Sequence, residues 1–142
     1  MKVLYDINVL LDALLRREPF YQQAARLLAA AEQSRVHAVL CSSSITTIHY
    51  LAAKQIGPMA ARQVIERLLQ IFDLAAVDRL VLQSALRSPI VDFEDAVVSE
   101  SAYHAEVDGI VTRNIAHFRN SSVRIYSPEE LLAWLASQGA EG

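Results

Sequence analysis

Four short clusters in this 142-residue chain carry side chains able to handle phosphate or a hard cation. They are Asp6-Ile7-Asn8, Ser42-Ser43-Ser44, Asp92-Phe93-Glu94-Asp95 and Thr112-Arg113-Asn114. Acids gathered from positions so far apart repel one another, and a cation between them is what most readily sustains such a meeting. A donor set made of oxygen selects Mg²⁺ or Mn²⁺ over softer metals. His37, His49, His104 and His117 share no metal-ligand spacing and are read as packing or surface residues. The single cysteine, Cys41, permits neither an internal disulfide nor a CxxC zinc site, so a reducing, cytoplasmic setting is expected.

Each cluster also has a plain structural reading. Asp6 can simply end a strand, and Asp92, Glu94 and Asp95 each stabilise a helix N-terminus by about 0.3–1 kcal/mol without any function. Asp92 is the natural cap, so the structural reading is preferred there. Asp95 lies inside the first turn with Ser99 on the same face, which favours a functional role. Asp12 is assigned to an i,i+4 surface pair with Arg16. Arg113-Asn114 falls where a turn is expected, and Asn tolerates left-handed backbone.

The elements that must position these residues alternate between apolar strands and amphipathic helices. Strands are expected at Lys2–Tyr5, Val36–Leu40, within Ile71–Val77, at Ile110–Thr112 and at Val123–Tyr126. Helices are expected at Val9–Leu15 behind an Asn8 cap, from Phe20 to about Gln33, and from the three serines to about Gln55. Gly57-Pro58 stops the third of these. Further helices follow at Met59–Leu69, from an Asp78 cap to Leu86, and from Asp92 to about Glu106. Ser127-Pro128-Glu129-Glu130 reads as a capping box opening the last helix. The alternation implies an α/β, three-layer fold, a central mostly parallel sheet flanked by helices. One domain over 1–137 is expected, with a frayed tail at 138–142. Ligands in such sheets sit beyond the carboxyl ends of the strands, the rim that Asp6, Ser42–Ser44 and Thr112–Asn114 would share.

Composition narrows the function classes. A 53% hydrophobic content with four Gly and four Pro excludes disordered and collagen-like chains. The net charge of −3 disfavours a general DNA-coating role, which rests on cationic neutralisation of phosphates. No run reaches the roughly 18 apolar residues of a membrane span, and Asp6 arrives too early for a signal-peptide core, so no membrane partner is expected.

Taken in order, Asp6-Ile7-Asn8-Val9-Leu10-Leu11-Asp12, Asp92-Phe93-Glu94-Asp95-Ala96, Ile110-Val111-Thr112-Arg113-Asn114 with His117-Phe118, and Tyr126-Ser127-Pro128-Glu129-Glu130-Leu131-Leu132 resemble the PIN-domain family. That family includes the VapC-type toxin ribonucleases. The resemblance spans nearly the whole chain and implies a parallel sheet whose strand ends carry three or four acids around Mg²⁺ or Mn²⁺. It further implies hydrolysis of phosphodiester bonds in RNA, a possible cognate antitoxin and a homodimer. Asp6 matches the first family acid and Asp95 the third. Asn114 stands where many relatives have the fourth, Thr112 two places before it, and Asn8 is the small polar residue after the first acid. The second acid, usually Glu, would fall near Ser44–Thr47, where Thr47 is the closest match. His117 stands where a further Asp is common.

The expected mechanism has an ion held by Asp6 and Asp95, with Asn114 reaching it directly or through water. Asp6 or the ion's own hydroxide is the base, and Glu94 an outer ligand or second base. Asn8, Thr47, Thr112 and Arg113 face substrate, with Arg119 as a further phosphate contact. The alternative is a catalytically weakened PIN-like module that binds RNA or protein. An aspartyl-phosphate enzyme is disfavoured because Asn8 breaks the Asp-x-Asp pair, and no Gly-rich phosphate loop is present.

Overall fold

The computed structural model describes residues 1–141. The order is β1 (Lys2–Tyr5), α1 (Ile7–Leu14), α2 (Tyr21–Glu32), β2 (His37–Cys41), α3 (Ser44–Ile56), α4 (Pro58–Ile71), β3 (Asp73–Ala75) and α5 (Arg79–Leu86). Then come α6 (Phe93–His104), β4 (Gly109–Val111), a 3₁₀ turn at Ile115–Phe118, β5 (Ile125–Tyr126) and α7 (Pro128–Glu141). The five strands form one parallel sheet in the order β3-β2-β1-β4-β5. Parallel strands need helical crossovers, so both sheet faces are covered and the strand interiors read as apolar runs.

Side-chain alternation divides the core. Val3 and Tyr5 of β1 face a cluster with Leu10, Leu27, Ile48, Leu68 and Leu131, drawn from α1, α2, α3, α4 and α7. Leu4 points the other way, to Val81, Ala85, Ala96 and Val97 on α5 and α6. The three-layer α/β expectation therefore holds. The apolar faces of α1 and α2 are internal: Val9, Leu10, Leu11, Ala24, Leu27, Ala30 and Ala31 are all buried. Gly109 opens β4 because a Cβ there would lie 2.5 Å from Cε2 of Tyr126 on the neighbouring strand.

Several boundaries differ from expectation for local reasons. The first helix starts at Ile7 rather than Val9, because Asp6 rather than Asn8 is its cap; the Asp6 carboxylate accepts the Ile7 N–H at 2.9 Å. It also ends at Leu14, so Arg16, with φ at 50°, has left the helix and cannot form the expected pair with Asp12. Instead Arg16 lies over the Tyr21 ring. Ile71 closes α4 instead of opening β3. The capping box at α7 is present in full: Ser127 N–H donates to Glu130, whose N–H donates to Ser127 Oγ, each at 3.0 Å. α7 stays helical as far as Glu141, and Gly142, the end of the expected frayed tail, lies outside the described residues.

Strand order fixes where chemistry can occur. β2 and β3 are laid to one side of β1, and the chain then returns to place β4 and β5 on the other. The reversal leaves a crevice beyond the carboxyl ends of β1 and β4, where open α/β sheets bind their ligands. Asp6 and Thr112 are the residues that immediately follow those two strands.

Candidate active site

Asp6 is built into this crevice by three elements at once. Its N–H donates to Val111 O of β4 at 3.0 Å, one carboxylate oxygen caps α1, and the other accepts Thr112 Oγ1–H at 2.8 Å. The Thr112 hydroxyl also accepts Asn114 N–H at 3.0 Å, which orients its own proton toward Asp6. Asp6 is 5% exposed. Burial raises its pKa above the ordinary value, opposed by the two hydrogen bonds and the nearby charges of His117 and Arg113.

Asp95 enters from α6. Asp92 caps that helix by accepting Asp95 N–H at 3.0 Å, which places Asp95 in the first turn as expected. Its carboxyl pKa is pushed up from 3.8 to about 6, first by burial, then by the negative charges of Asp92, Asp6 and Glu94 against the opposing influence of His117. Residues 6 and 95 thus share one electrostatic neighbourhood. His117, from the 3₁₀ turn, lies with Nδ1 3.6 Å from Asp95 Oδ2. Beside Asp95 opens a cleft of about 360 Å³, walled by Pro89, Ile90 and Val91 on one side and by His117, Arg119 and Asn120 on the other.

The raised Asp95 pKa has a consequence for stability with a definite sign. An acid whose pKa is higher folded than unfolded favours the native state fully below about pH 4, and that contribution is lost as pH climbs through about 6. Asp6, also raised, acts in the same direction. In the presence of EDTA the protein should therefore lose thermal stability across this window, and Asp95→Asn should flatten the slope and raise Tm at pH 7. Unfolding scans from about pH 4 to 8 check this; a variant with the wild-type slope would refute it.

A sequence profile for the PIN domain matches residues 2–116, well over half of the chain. The chain belongs to the PIN-domain family. PIN domains are generally nucleases that use divalent metals. The solved structures agree on the fold. VapBC2 from Rickettsia felis, bound to a promoter DNA fragment, matches with a TM-score of 0.67 at 13% identity, covering 89% of this chain and 98% of that one. DNA-bound VapBC from Salmonella typhimurium matches with a TM-score of 0.68 at 15% identity, covering 90% and 98%. A toxin–antitoxin complex from Klebsiella pneumoniae gives 0.68 at 18% identity, covering 89% and 97%. No curated protein sequence matches.

Around this PIN-domain crevice the remaining predicted residues fall as follows. Asn114 is half-buried with φ −103° and ψ 58°, so the left-handed geometry that Asn tolerates is not used. Asn8 is half-buried in the first turn of α1, and Thr47 half-buried in the first turn of α3, with no side-chain hydrogen bond to Asp6 or Asp95 among the described residues. Glu94 is exposed beside Asp95. Arg113 is not free: its Nε donates to Asp12 Oδ2 at 2.8 Å, and its guanidinium stacks 4.1 Å from the Phe20 ring. Asp12 is correspondingly 1% exposed, not on the surface. Sequence reading missed that burial, the placement of His117 against Asp95, and the cleft-wall residues other than Arg119. For His117 the matching family position was the available signal.

The donor set suits a small hard cation. Among the described residues no three His, Cys, Asp or Glu side chains form a metal-holding group. Mg²⁺ does not require one, since it keeps several waters and is typically bound by one or two carboxylates plus substrate phosphates. Asp6, buried, and Asp95, half-buried, are two carboxylates of the kind such an ion takes.

Proposed function

We propose that this PIN domain is a divalent-metal-dependent endoribonuclease that hydrolyses phosphodiester bonds in RNA, acting as the toxin of a toxin–antitoxin pair. The observation that carries the reading is a buried Asp6 at the sheet's switch point with Asp95 near enough to feel its charge, the Asp95 carboxyl being pushed up to about 6 first by burial and then by the charges of Asp92 and Asp6. A buried acid and a half-buried one in this charge environment are poorly stabilised by protein alone, and Mg²⁺ or Mn²⁺ bound by them relieves the repulsion. When bound there, the ion supplies charge neutralisation and an activated water.

The chain's own residues do the rest. Thr112 holds the Asp6 carboxylate in one orientation. Asn114, anchored through its N–H, adds a neutral amide to the donor set. Glu94, exposed at the rim, takes up a proton as an outer base. Arg119 and His117 present cationic or donor groups to phosphate along the cleft, the role expected of Arg113 before its pairing with Asp12 is considered. Asn8, in the first turn of α1, and Thr47, in the first turn of α3, hydrogen-bond a sugar or phosphate oxygen of the substrate in this reading.

The test is cleavage of a single-stranded RNA panel in EDTA, Mg²⁺ and Mn²⁺. Cleavage with either metal and none in EDTA is expected; equal rates in all three would end the nuclease reading. Because bound metal competes with protons, Mn²⁺ affinity measured by calorimetry should rise as pH climbs from about 5 to about 7. A second reading is favoured by one observation, the lack of a third converging acid among the described residues. It makes the chain a PIN-like module that binds RNA or protein without cutting. No Mn²⁺ binding dependent on Asp6 and Asp95 would select it.

The antitoxin partner rests on the matched structures, which are themselves toxin–antitoxin complexes. Exposed apolar side chains on α5 (Leu82 and Leu86), in the loop before α6 (Val91) and at the first position of α6 (Phe93) are available for a homodimer. Among the described residues no helix is long and apolar enough to cross a membrane.

A further inference from the structure

Asp12 and Arg113 are 101 positions apart, yet they form the second of two cross-links between α1 and the loop after β4. In the first, Thr112 Oγ1 donates to Asp6 Oδ2 at 2.8 Å. In the second, Arg113 Nε donates to Asp12 Oδ2 at 2.8 Å and Nη2 to Oδ1 at 3.4 Å. Asp6 caps α1, and Asp12 lies on it six residues later, about 9 Å along the axis. Two adjacent loop residues are therefore tied to two points of one helix.

The chemistry of the second tie is that of a fixed clamp. A carboxylate that is 1% exposed demands a charged, hydrogen-bonding partner, and the guanidinium fork meets both oxygens. Phe20 closes the other side, with its ring 4.1 Å from Cζ of Arg113, so the guanidinium is held between a carboxylate and an aromatic face. Arg17 adds only an outer contact, Nε to Asp12 Oδ1 at 3.7 Å. A lysine can match the charge but not the fork or the stacking.

We propose that Asp12 and Arg113, backed by Phe20, are positioning residues that lock the Thr112–Asn114 loop onto α1 and so hold Asp6 and Asn114 in working geometry. The functional half of this rests on the ribonuclease reading above. A displacement of about 1 Å in a catalytic constellation can cost a hundredfold in rate, so a loosened loop should be felt in turnover and hardly in substrate affinity.

The test combines steady-state RNA cleavage with amide hydrogen exchange on the full chain. Arg113→Lys and Asp12→Asn should each lower kcat about ten- to a hundredfold, with KM changed less than about threefold. The double variant should be no worse than the poorer single, because the two residues act as one unit. Exchange over residues 112–116 should quicken in both variants while the β1 amides stay as protected as in wild type. A raised KM in Arg113→Lys with wild-type kinetics in Asp12→Asn would overturn the proposal and make Arg113 a direct phosphate contact. So would a lowered Tm with unchanged kcat, which marks a purely structural pair. If wild type cuts no RNA at all, the ribonuclease reading falls, and unchanged exchange at 112–116 would then sink the clamp on its own. Arg113→Lys keeps the charge and covers the case in which Asp12→Asn does not fold.

Discussion

Asp6→Asn should abolish metal-dependent RNA cleavage, lowering kcat/KM on the order of a thousandfold, while the metal-free protein becomes no less stable. The two halves of this expectation come from the same carboxylate. Its oxygens accept the Ile7 N–H and the Thr112 hydroxyl, and an amide oxygen can still accept one of these bonds while the amide nitrogen donates to a hydroxyl that reverses its proton. What is lost is a negative charge that burial already disfavours, as the raised pKa of Asp6 shows. Removing it also relieves Asp95, part of whose elevation to about 6 comes from Asp6. Function needs that charge and folding does not. Cleavage assays in Mn²⁺ together with thermal unfolding in EDTA separate the halves; a variant that still cuts RNA at a tenth of the wild-type rate would contradict the assignment of Asp6.

The parts of this site that sequence reading finds are those written in local pattern. Asp6 and Thr112 stand out because each is a polar residue directly after an apolar strand, and strand ends in a parallel sheet share a rim. Asp95 stands out because Asp92 announces a helix start three residues earlier. The Asp12–Arg113 pair was invisible for the same reason. Local pattern offers Asp12 a partner four residues on, at Arg16, and nothing in the sequence says that α1 stops at Leu14. The true partner comes from the loop after β4, a strand that packs beside β1 only because of the strand order. The cleft is likewise built from residues distant in sequence, Pro89, Ile90 and Val91 on one hand and His117, Arg119 and Asn120 on the other, which only the tertiary fold brings together. Boundaries such as Ile71, helical rather than extended, moved because α4 keeps its hydrogen bonds through that residue, Phe72 N–H still donating to Leu68 O at 2.8 Å.

Asp12→Ala should be among the most destabilising single changes in the molecule, by about 3 kcal/mol, which for a domain of this size lowers Tm by roughly 10 °C. Breaking a buried ion pair from one side typically costs about 3–5 kcal/mol because the survivor is left charged and unpaired. The lower end applies, since the Arg113 side chain keeps 25% exposure and can regain some water. Replacing both partners tells stability apart from positioning. In Asp12→Leu/Arg113→Met no charge is stranded, and an apolar pair of similar volume can restore most of the loss. The fork that ties residue 113 to α1 is nevertheless gone, so turnover should stay low in a protein whose Tm has recovered. Differential scanning calorimetry beside the RNA-cleavage assay measures both. If the double variant regains activity along with stability, the pair serves the fold alone, and the loop over Asp6 is held well enough by Thr112.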